Sequence, residues 1–234
     1  MVSWDHTIGL GCTFFEHPGI VTAIAVSFDG KFIFSGCQDN LVRKMTASHA
    51  KLCAVLPRML SGATDVIVAL STQRAKNHLI AFSRSCDQCA YIASFDNLKI
   101  VARLSGHESL VWQTSFKADD SMILACCVRK SILLGSHILL SQGIPECRGG
   151  ATLGSSVDEM LWTTAVFASL EHRSLLFCFN SARQMHILNS DDANAEESII
   201  DIQMRANVFT ASTFVGDTMV CGDDYGNVYP VRIA

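Results

Sequence analysis

The sequence is short of charge, of basic clusters and of long apolar runs. Only 17% of its 234 residues are charged, and 18 Lys and Arg stand against 22 Asp and Glu. Because phosphate backbones are bound by clustered Lys and Arg, this composition argues against nucleic-acid binding. The longest uncharged run, residues 131–145, contains His137 and Gln142 and is too short for a membrane helix. We therefore expect neither a nucleic acid nor a membrane among the partners.

Features of secreted proteins are also missing. Residues 1–6 lack the basic start and apolar stretch of a secretory leader, and no Asn-x-Ser/Thr acceptor for glycosylation occurs. The ten cysteines are scattered through apolar runs, where a reduced cysteine behaves as a small hydrophobic residue. A reducing compartment is therefore favoured. We expect a cytoplasmic protein, with the nucleus or a cilium as alternatives.

What the chain does contain is a repeated β pattern. Short runs rich in β-branched and aromatic residues end at turn formers, and residues 21–28, followed by Asp29-Gly30, carry a strong hairpin signal. Four such runs within about 40 residues form an antiparallel meander, and the unit recurs at a period typical of propeller blades. The corresponding turn positions, 42 to 53 residues apart, are Asp39, Asp87, Arg129, Ala182 and Asp224.

These repeats predict an all-β fold, a propeller of about five four-stranded blades in a single domain, residues 1–234. The blades are expected at residues 17–57, 62–104, 107–141, 157–203 and 207–234. Only three strands are predicted in the last blade, and a strand at residues 7–14 is expected to complete it, so that no sheet edge stays open. An incomplete propeller belonging to a larger array is the alternative.

The first and last units resemble WD-repeat blades. In the first unit His17 precedes the run Val21–Phe28, and the turn Gln38-Asp39-Asn40 follows the second strand. Gly106-His107 looks like the Gly-His pair that opens such a blade, and Cys221–Tyr229 is similar to the family's turn between its second and third strands. The resemblance implies structural roles for His17, Asp39, Asp87, Gly106, His107 and Asp224.

The resemblance has two departures. The family's Trp near the end of the third strand is absent from the first unit, where Met45 stands. In the third unit Arg129 occupies the position of the turn Asp, so His107 lacks its usual partner. Packing between blades is therefore expected to replace the family's buried polar network in most of the repeats.

Similarity to WD-repeat propellers implies a non-enzymatic scaffold that presents its loops to other proteins, with no cofactor. Exposed loop residues on a rigid framework commonly carry binding. The candidate partner contacts are Gln38, Glu108, Arg129, Lys130, Arg183 and Tyr225. One alternative is the C-terminal sensor or regulatory propeller of a NACHT, apoptosome-type or axonemal multi-domain protein. Another is an enzyme working in the central channel, which the apolar first strands disfavour.

Three segments carry weak chemical patterns. Cys86-Asp87-Gln88-Cys89 has the spacing of a zinc-binding pair, but a closed site needs two further ligands, so we interpret both as reduced cysteines. Gly149–Ser156 has phosphate-loop glycines with Ser155 in place of the required Lys, which favours a loop. Asp191–Glu197 lacks the glycine of a calcium loop and is interpreted as a solvated acidic loop. No metal site is predicted.

Overall fold

The secondary structure is β throughout the described part of the chain. A computed structural model describes residues 2–4, 11–13, 17–49, 51–56, 66–75, 78–127, 131–135, 146–148, 151–153, 161–170, 173–190, 198–202, 208–215 and 218–232. Within these ranges there are 22 strands and no helix. The predicted all-β fold is confirmed.

Twenty of the strands lie in five successive sheets, which we call blades one to five. Blade one contains β3 (Val21–Val26), β4 (Phe32–Cys37), β5 (Val42–Thr46) and β6 (Leu52–Leu56). Blade two contains β7 (Ile67–Thr72), β8 (Leu79–Arg84), β9 (Ala90–Ser94) and β10 (Ile100–Ser105). Blade three contains β11 (Val111–Phe116), β12 (Met122–Cys127), β13 (Ser131–Gly135) and β15 (Ala151–Leu153). Blade four contains β16 (Trp162–Leu170), β17 (Arg173–Asn180), β18 (Gln184–Asn189) and β19 (Ser198–Asp201). Blade five contains β20 (Phe209–Val215), β21 (Thr218–Asp223) and β22 (Val228–Arg232).

Blades one to four are thus meanders of four antiparallel strands, and blade five has three strands in the described residues. A short strand, β14 (Glu146–Arg148), adds in parallel to β10 at the edge of blade two. The segment predicted to complete blade five is described only at β2 (Gly11–Thr13), which pairs with β1 (Val2–Trp4) in a separate hairpin.

Blade three differs in its fourth strand. The predicted range of blade three, residues 107–141, puts its fourth strand near residues 137–141, which lie outside the described residues, whereas the strand found beside β13 is β15. Since β15 lies inside the glycine-rich segment 149–156, part of the predicted loop is strand. The backbone of β13 needs a partner for its open edge, and Ala151–Leu153 supplies one.

The same irregularity occurs in every first strand. The pairing between the first and second strands shifts by one residue, as in a β-bulge, directly after the first residue of the strand. We call the residue before the shift the knob position; its members are Val21, Ile67, Val111, Trp162 and Phe209. The second-strand residue paired just after the shift is the socket position; its members are Gly36, Ser83, Cys126, Phe179 and Gly222.

The first strands lie side by side around a central channel. In chain order β3 packs on β7, β7 on β11, β11 on β16 and β16 on β20. All five contribute residues to one cavity of about 460 Å³. The main apolar cores lie between consecutive blades, so each blade is stabilised chiefly by its neighbours. This is the arrangement of a propeller.

Candidate functional site

The turns between the second and third strands are tied to the start of their own blades. In each described turn a backbone N–H donates to the carbonyl of the residue just before the first strand. The pairs are Gln38 to Ile20 (2.9 Å), Ser85 to Val66 (2.9 Å), Ser181 to Leu161 (2.8 Å) and Asp224 to Val208 (3.2 Å). Each turn therefore lies beside the residue that leads into its blade.

Side-chain hydrogen bonds show that the first strands run in the same direction. Thr72 Oγ1 near the end of β7 donates to the carbonyl of Val26 at the end of β3 (2.6 Å). In the middle of the strands, Gln113 of β11 both donates to and accepts from the backbone of Ala165 in β16, at 2.6 and 3.0 Å. Because neighbouring first strands are in near register, all these turns lie on one side of the disc. We call that side the turn face.

In blade one the turn is held by a buried ion pair. Asp39 accepts from the Leu41 backbone N–H (3.1 Å) and from both terminal nitrogens of Arg43, at 3.1 and 2.5 Å. Burial alone would raise the pKa of Asp39, but the Arg43 guanidinium outweighs it and holds the pKa below the ordinary value. The carboxylate therefore stays ionised and keeps the turn in one conformation.

In blade two Asp87 occupies the same place in the turn with different partners. Arg84 donates to Asp87 Oδ2 from Nε (3.2 Å) and Nη2 (3.0 Å), and the Tyr91 hydroxyl donates to the same oxygen. Burial and this hydrogen bond to the carboxylate raise the pKa of Tyr91. The Arg84 guanidinium also lies 5.4 Å from the Tyr91 ring centroid.

An asparagine and a histidine hold the turn of blade four. Asn180 Nδ2 lies 3.1 Å from His186 Nε2, and Asn180 Oδ1 accepts from the Gln184 backbone N–H (2.9 Å). The His186 ring meets Trp162 edge to face at 4.8 Å. Ala182, the turn position expected from the repeat spacing, is exposed and precedes Arg183, whose φ is 66°.

In blade five the turn carboxylate is Asp223, at the end of β21. It accepts from the Tyr225 and Asn227 backbone N–H groups (3.0 and 2.8 Å), from Asn227 Nδ2 (2.9 Å) and from the Tyr229 hydroxyl (3.1 Å). The hydrogen bonds from Asn227 contribute most to lowering the pKa of Asp223. Asp224, which the sequence had suggested for this role, lies one residue later and is exposed.

The remaining residues assigned structural roles lie just before blades one and three. His17 is half-buried, and its Nε2 lies 2.6 Å from Ser35 Oγ. His107 is 6% exposed and follows Gly106, which has a φ of 105°, a left-handed conformation that glycine adopts without strain. In the turn of blade one, Asp39 is paired with Arg43.

Of the six candidate partner contacts, four can be placed. Gln38, Glu108, Arg183 and Tyr225 are exposed, in turns or in segments that precede a first strand, and Tyr225 has 75% of its surface free. Arg129 and Lys130 lie outside the described residues. The four described residues share the turn face and belong to four different blades.

Exposed aliphatic residues on the turn face were missed in the sequence. Ile20 and Leu161, each directly before a first strand, are 65% and 42% exposed. The available signal was a repeat: this position is aliphatic in every blade. Its members are Ile20, Val66, Leu110, Leu161 and Val208. None of the five is buried, although the carbonyls of Ile20, Val66, Leu161 and Val208 accept hydrogen bonds within the fold.

The two thiols of the Cys-x-x-Cys pair have different surroundings. Cys86 is exposed, whereas Cys89 is buried and its Sγ accepts from Arg103 Nε at 3.2 Å. Across the described ranges no group of three or more His, Cys, Asp or Glu residues could hold a metal ion. The acidic segment 191–197 lies outside those ranges.

The central channel is lined by neutral side chains and one cation. Its described wall is built from aliphatic residues, two Phe, Ser, Thr, Gln and Arg74, without a carboxylate, His or Cys. Hydrogen bonds between blades occupy several of the polar groups, such as Ser71 Oγ with Thr114 Oγ1 (3.1 Å) and Thr164 Oγ1 with Ser212 Oγ (2.9 Å). The inward-facing acids or histidines required by the channel-enzyme hypothesis do not occur in this wall.

Sheets of this form, arranged side by side around a channel, define the class of β-propellers. The family model of the WD domain, G-beta repeat, matches residues 9–44, which include β3, β4 and the first three residues of β5. The matched repeat and the arrangement of the other blades together support a WD-repeat propeller. No curated protein matches the chain. No helix in the described residues is long and apolar enough to cross a membrane.

Proposed function

We propose that this chain is a docking platform that binds other proteins through its turn face. WD-repeat propellers generally serve as scaffolds for protein interactions and not as enzymes. Fold alone does not define a site. The turn face is favoured as the binding surface because polar, aromatic and aliphatic side chains from four blades are exposed on it together.

The exposure of the Tyr225 side chain is the observation that carries the proposal. Its side chain is 75% exposed at the tip of the blade-five turn, while its backbone N–H is fixed by Asp223 at 3.0 Å. A tyrosine on an ordered turn offers a large contact area at a small cost in conformational entropy, which is typical of interface anchors. The exposed Ile20 and Leu161 on the same face extend the apolar area available to a partner.

Polar residues around Tyr225 provide the basis for specificity. Arg183 is exposed and lies in a turn held at both ends, by Ser181 N–H to Leu161 and by Arg183 N–H to Asn180. Gln38 and Glu108 add an amide and a carboxylate from other blades. A partner presenting complementary charge to Arg183 and Glu108, with an apolar centre, fits this face.

The proposal is tested by proximity labelling in cells, which identifies the proteins that lie close to the chain and to its variants. Tyr225→Ser together with Arg183→Asn removes the two side chains, and Asn tolerates the left-handed backbone at position 183. The matched control, Asp96→Ser with Lys99→Ser, changes exposed residues of the blade-two turn on the opposite side. We expect the first pair to lose partners that the control retains, with unchanged thermal unfolding. An identical partner set for all three chains would contradict the proposal.

A further inference from the structure

The interfaces between consecutive blades follow one rule of contact. At each of them the knob residue of the later blade meets the socket residue of the earlier blade. A Cβ placed on Gly36 would overlap the Ile67 side chain, and Ser83 Oγ donates to the Val111 carbonyl at 2.6 Å. Trp162 shares a core cluster with Cys126. The rings of Phe209 and Phe179 meet edge to face at 5.3 Å.

This contact buries the knob residue in blades two to five. The exposed fractions are 0% for Ile67, 0% for Val111, 8% for Trp162 and 5% for Phe209. Val21, the knob of blade one, is only half-buried. The rule therefore holds at four interfaces, and Val21 is the knob residue that is not fully buried.

At the other end of the series, no described residue of another blade covers the socket of blade five. Among the described residues, a Cβ added to Gly222 would meet the Ala211 Cβ at 3.9 Å and the Asn227 carbonyl at 4.0 Å, both from blade five. Val228, paired with Gly222 across the sheet, is 67% exposed. In blade one the matching residue Val42, paired with Gly36, is completely buried.

The socket of blade five has the shape of the socket in blade one. Both are glycines paired with an alanine of the first strand, Ala23 for Gly36 and Ala211 for Gly222, and with a valine of the third strand. In blade one this combination accommodates a β-branched aliphatic side chain, Ile67. Similar backbone and neighbouring side chains predict a similar occupant at Gly222.

We infer that the free face of blade five, formed by Gly222, Val220 and Val228, docks a blade-type β-sheet of a partner protein. The first strand of that sheet begins with Ile or Val, which packs on Gly222 as Ile67 packs on Gly36. This surface lies on the side of the blade and is distinct from the turn face. Its apolar, uncharged character matches the four interfaces already present between the blades.

The third strand of blade five supports the same occupant. In blades one and two the third strands β5 and β9 are almost entirely buried, whereas β22 alternates between exposed and half-buried residues. The hydrogen bond from Asp223 N–H to the Asn227 carbonyl fixes which backbone groups of β22 face β21. By alternation, Pro230 directs its nitrogen to the edge of β22 that has no partner strand among the described residues, where the missing N–H costs no ladder bond. A docked sheet covers both the face and this edge.

The test extends the full chain with a second copy of residues 51–105 after Ala234. In this order the copied β6 follows β22 as a fourth strand, and the copied Ile67 reaches Gly222. We expect the melting temperature to rise by about 5 °C or more, as an added interface worth a few kcal/mol would do in a domain of this size. Gly222→Val or Ile67→Asp in the copy should each abolish the rise, and the two together should lose no more than either alone.

Gly222→Val in the original chain is the matched control and should leave its melting temperature unchanged. If it lowers the melting temperature of the original chain as much as that of the extended one, the face is already covered by blade one of the same chain, which overturns the inference. A dimer in light scattering that Gly222→Val dissociates identifies a second copy as the occupant and also overturns it. A rise that neither substitution affects overturns it as well.

A labelling measurement decides the question independently of whether the extended chain folds. Gly222→Cys in the original chain should react with a maleimide about as fast as the exposed Cys53 and Cys86. Among the described residues, the neighbours of the new thiol would be Ala211 and Asn227. Labelling as slow as that of the buried native cysteines would overturn the inference, because the socket would then already be filled.

Discussion

Blades one and five have the same register of strands and opposite surroundings. Gly36 and Gly222 occupy the same socket position, but Gly36 lies under Ile67 whereas Gly222 has no described neighbour from another blade. Lys44 and Pro230 also correspond, since each pairs with the residue two places before its socket glycine. Lys44 is 5% exposed, while Pro230 is exposed.

The neighbour of a blade, and not the blade's own sequence, therefore decides which of its residues are buried. Blade one has a following blade, whose Phe95 packs against Phe32 and Phe34 at 5.7 and 5.1 Å between ring centroids. Blade five has equivalent strands and turns without such a neighbour in the described residues. Equivalent substitutions in the two blades should therefore have unequal effects.

The largest difference is expected for valine at the two sockets. Gly36→Val places side-chain atoms where Ile67 already lies, and we expect a loss of about 3 kcal/mol or more in the free energy of unfolding. Gly222→Val adds only ordinary contacts, so its effect should stay within about 0.5 kcal/mol. Urea unfolding followed by circular dichroism measures both. Equal losses would show that blade five is packed as tightly as blade one.

Truncating the knobs should give the next largest difference. Ile67→Ala removes a fully buried side chain from the first interface, with an expected loss of about 3 kcal/mol. Val21→Ala, at the knob of blade one, should lower the free energy of unfolding by about 1 kcal/mol or less. Val21 is half-buried, so its truncation removes fewer contacts. The same urea titrations report both values. A Val21→Ala loss as large as that of Ile67→Ala would indicate that blade one is covered on both sides in solution.

The sequence predicted the parts of the fold that depend on local patterns. Alternating strands and the Asp29-Gly30 hairpin were readable because each depends on a few adjacent residues, and Gly30 has the expected positive φ of 68°. The WD-repeat resemblance of blade one is confirmed by the family match. The sequence could not show whether Asp223 or Asp224 holds the turn. The two residues are adjacent, and only the direction of each side chain decides which one accepts the hydrogen bonds.

The contacts between knob and socket residues could not be predicted from the sequence for a related reason. Gly36 and Ile67, or Cys126 and Trp162, are far apart in the chain and meet only after two sheets have packed. No spacing rule links a small residue in one strand to a large residue in another sheet. The exposed Ile20 and Leu161 could have been found, since an aliphatic residue precedes every first strand.

A smaller difference is expected between the two turn carboxylates. Asp39→Asn leaves the Arg43 guanidinium, 7% exposed, without its charged partner, and we expect a loss of about 2 kcal/mol. Asp223→Asn should lose less, because the donors to Asp223, such as Asn227 and Tyr229, are neutral and no buried charge is left without its partner. Urea unfolding at pH 7 compares the two. A larger loss for Asp223→Asn would contradict the assignment of the ion pair as the stronger restraint.

Acid should remove the advantage of Asp39. The folded state lowers the pKa of Asp39, so its contribution is complete above the unfolded value near 3.8 and is lost as the pH falls through the lower folded pKa. The gap in stability between the parent chain and Asp39→Asn should therefore be constant from pH 7 to about 5 and should shrink below about pH 4. A gap that does not shrink as the pH falls below 3.8 would mean that the charge of the carboxylate contributes nothing and that its shape holds the turn.

The smallest effect is expected at Lys44. Its ammonium lies 4.3 and 4.1 Å from the ring centroids of Phe32 and Phe95 and donates to the Phe95 carbonyl at 3.0 Å. These contacts offset the cost of burying the charge, and burial lowers the pKa of Lys44 below the ordinary value of 10.5. We therefore expect Lys44→Met to change stability at pH 7 by about 1 kcal/mol or less.

The sign of the pH dependence separates this contribution from simple packing. Because the folded pKa of Lys44 lies below the unfolded one, the unfolded chain binds more protons between the two values, and the parent chain gains stability as the pH rises through that interval toward 10.5. Lys44→Met abolishes the gain, so the difference between parent and variant should move in favour of the parent with rising pH. Lys51→Met, at an exposed lysine before β6, is the matched control and should show no such trend. If the difference did not depend on pH between 7 and 10, burial would not shift the pKa of Lys44. The side chain would then contribute to stability only through its packing.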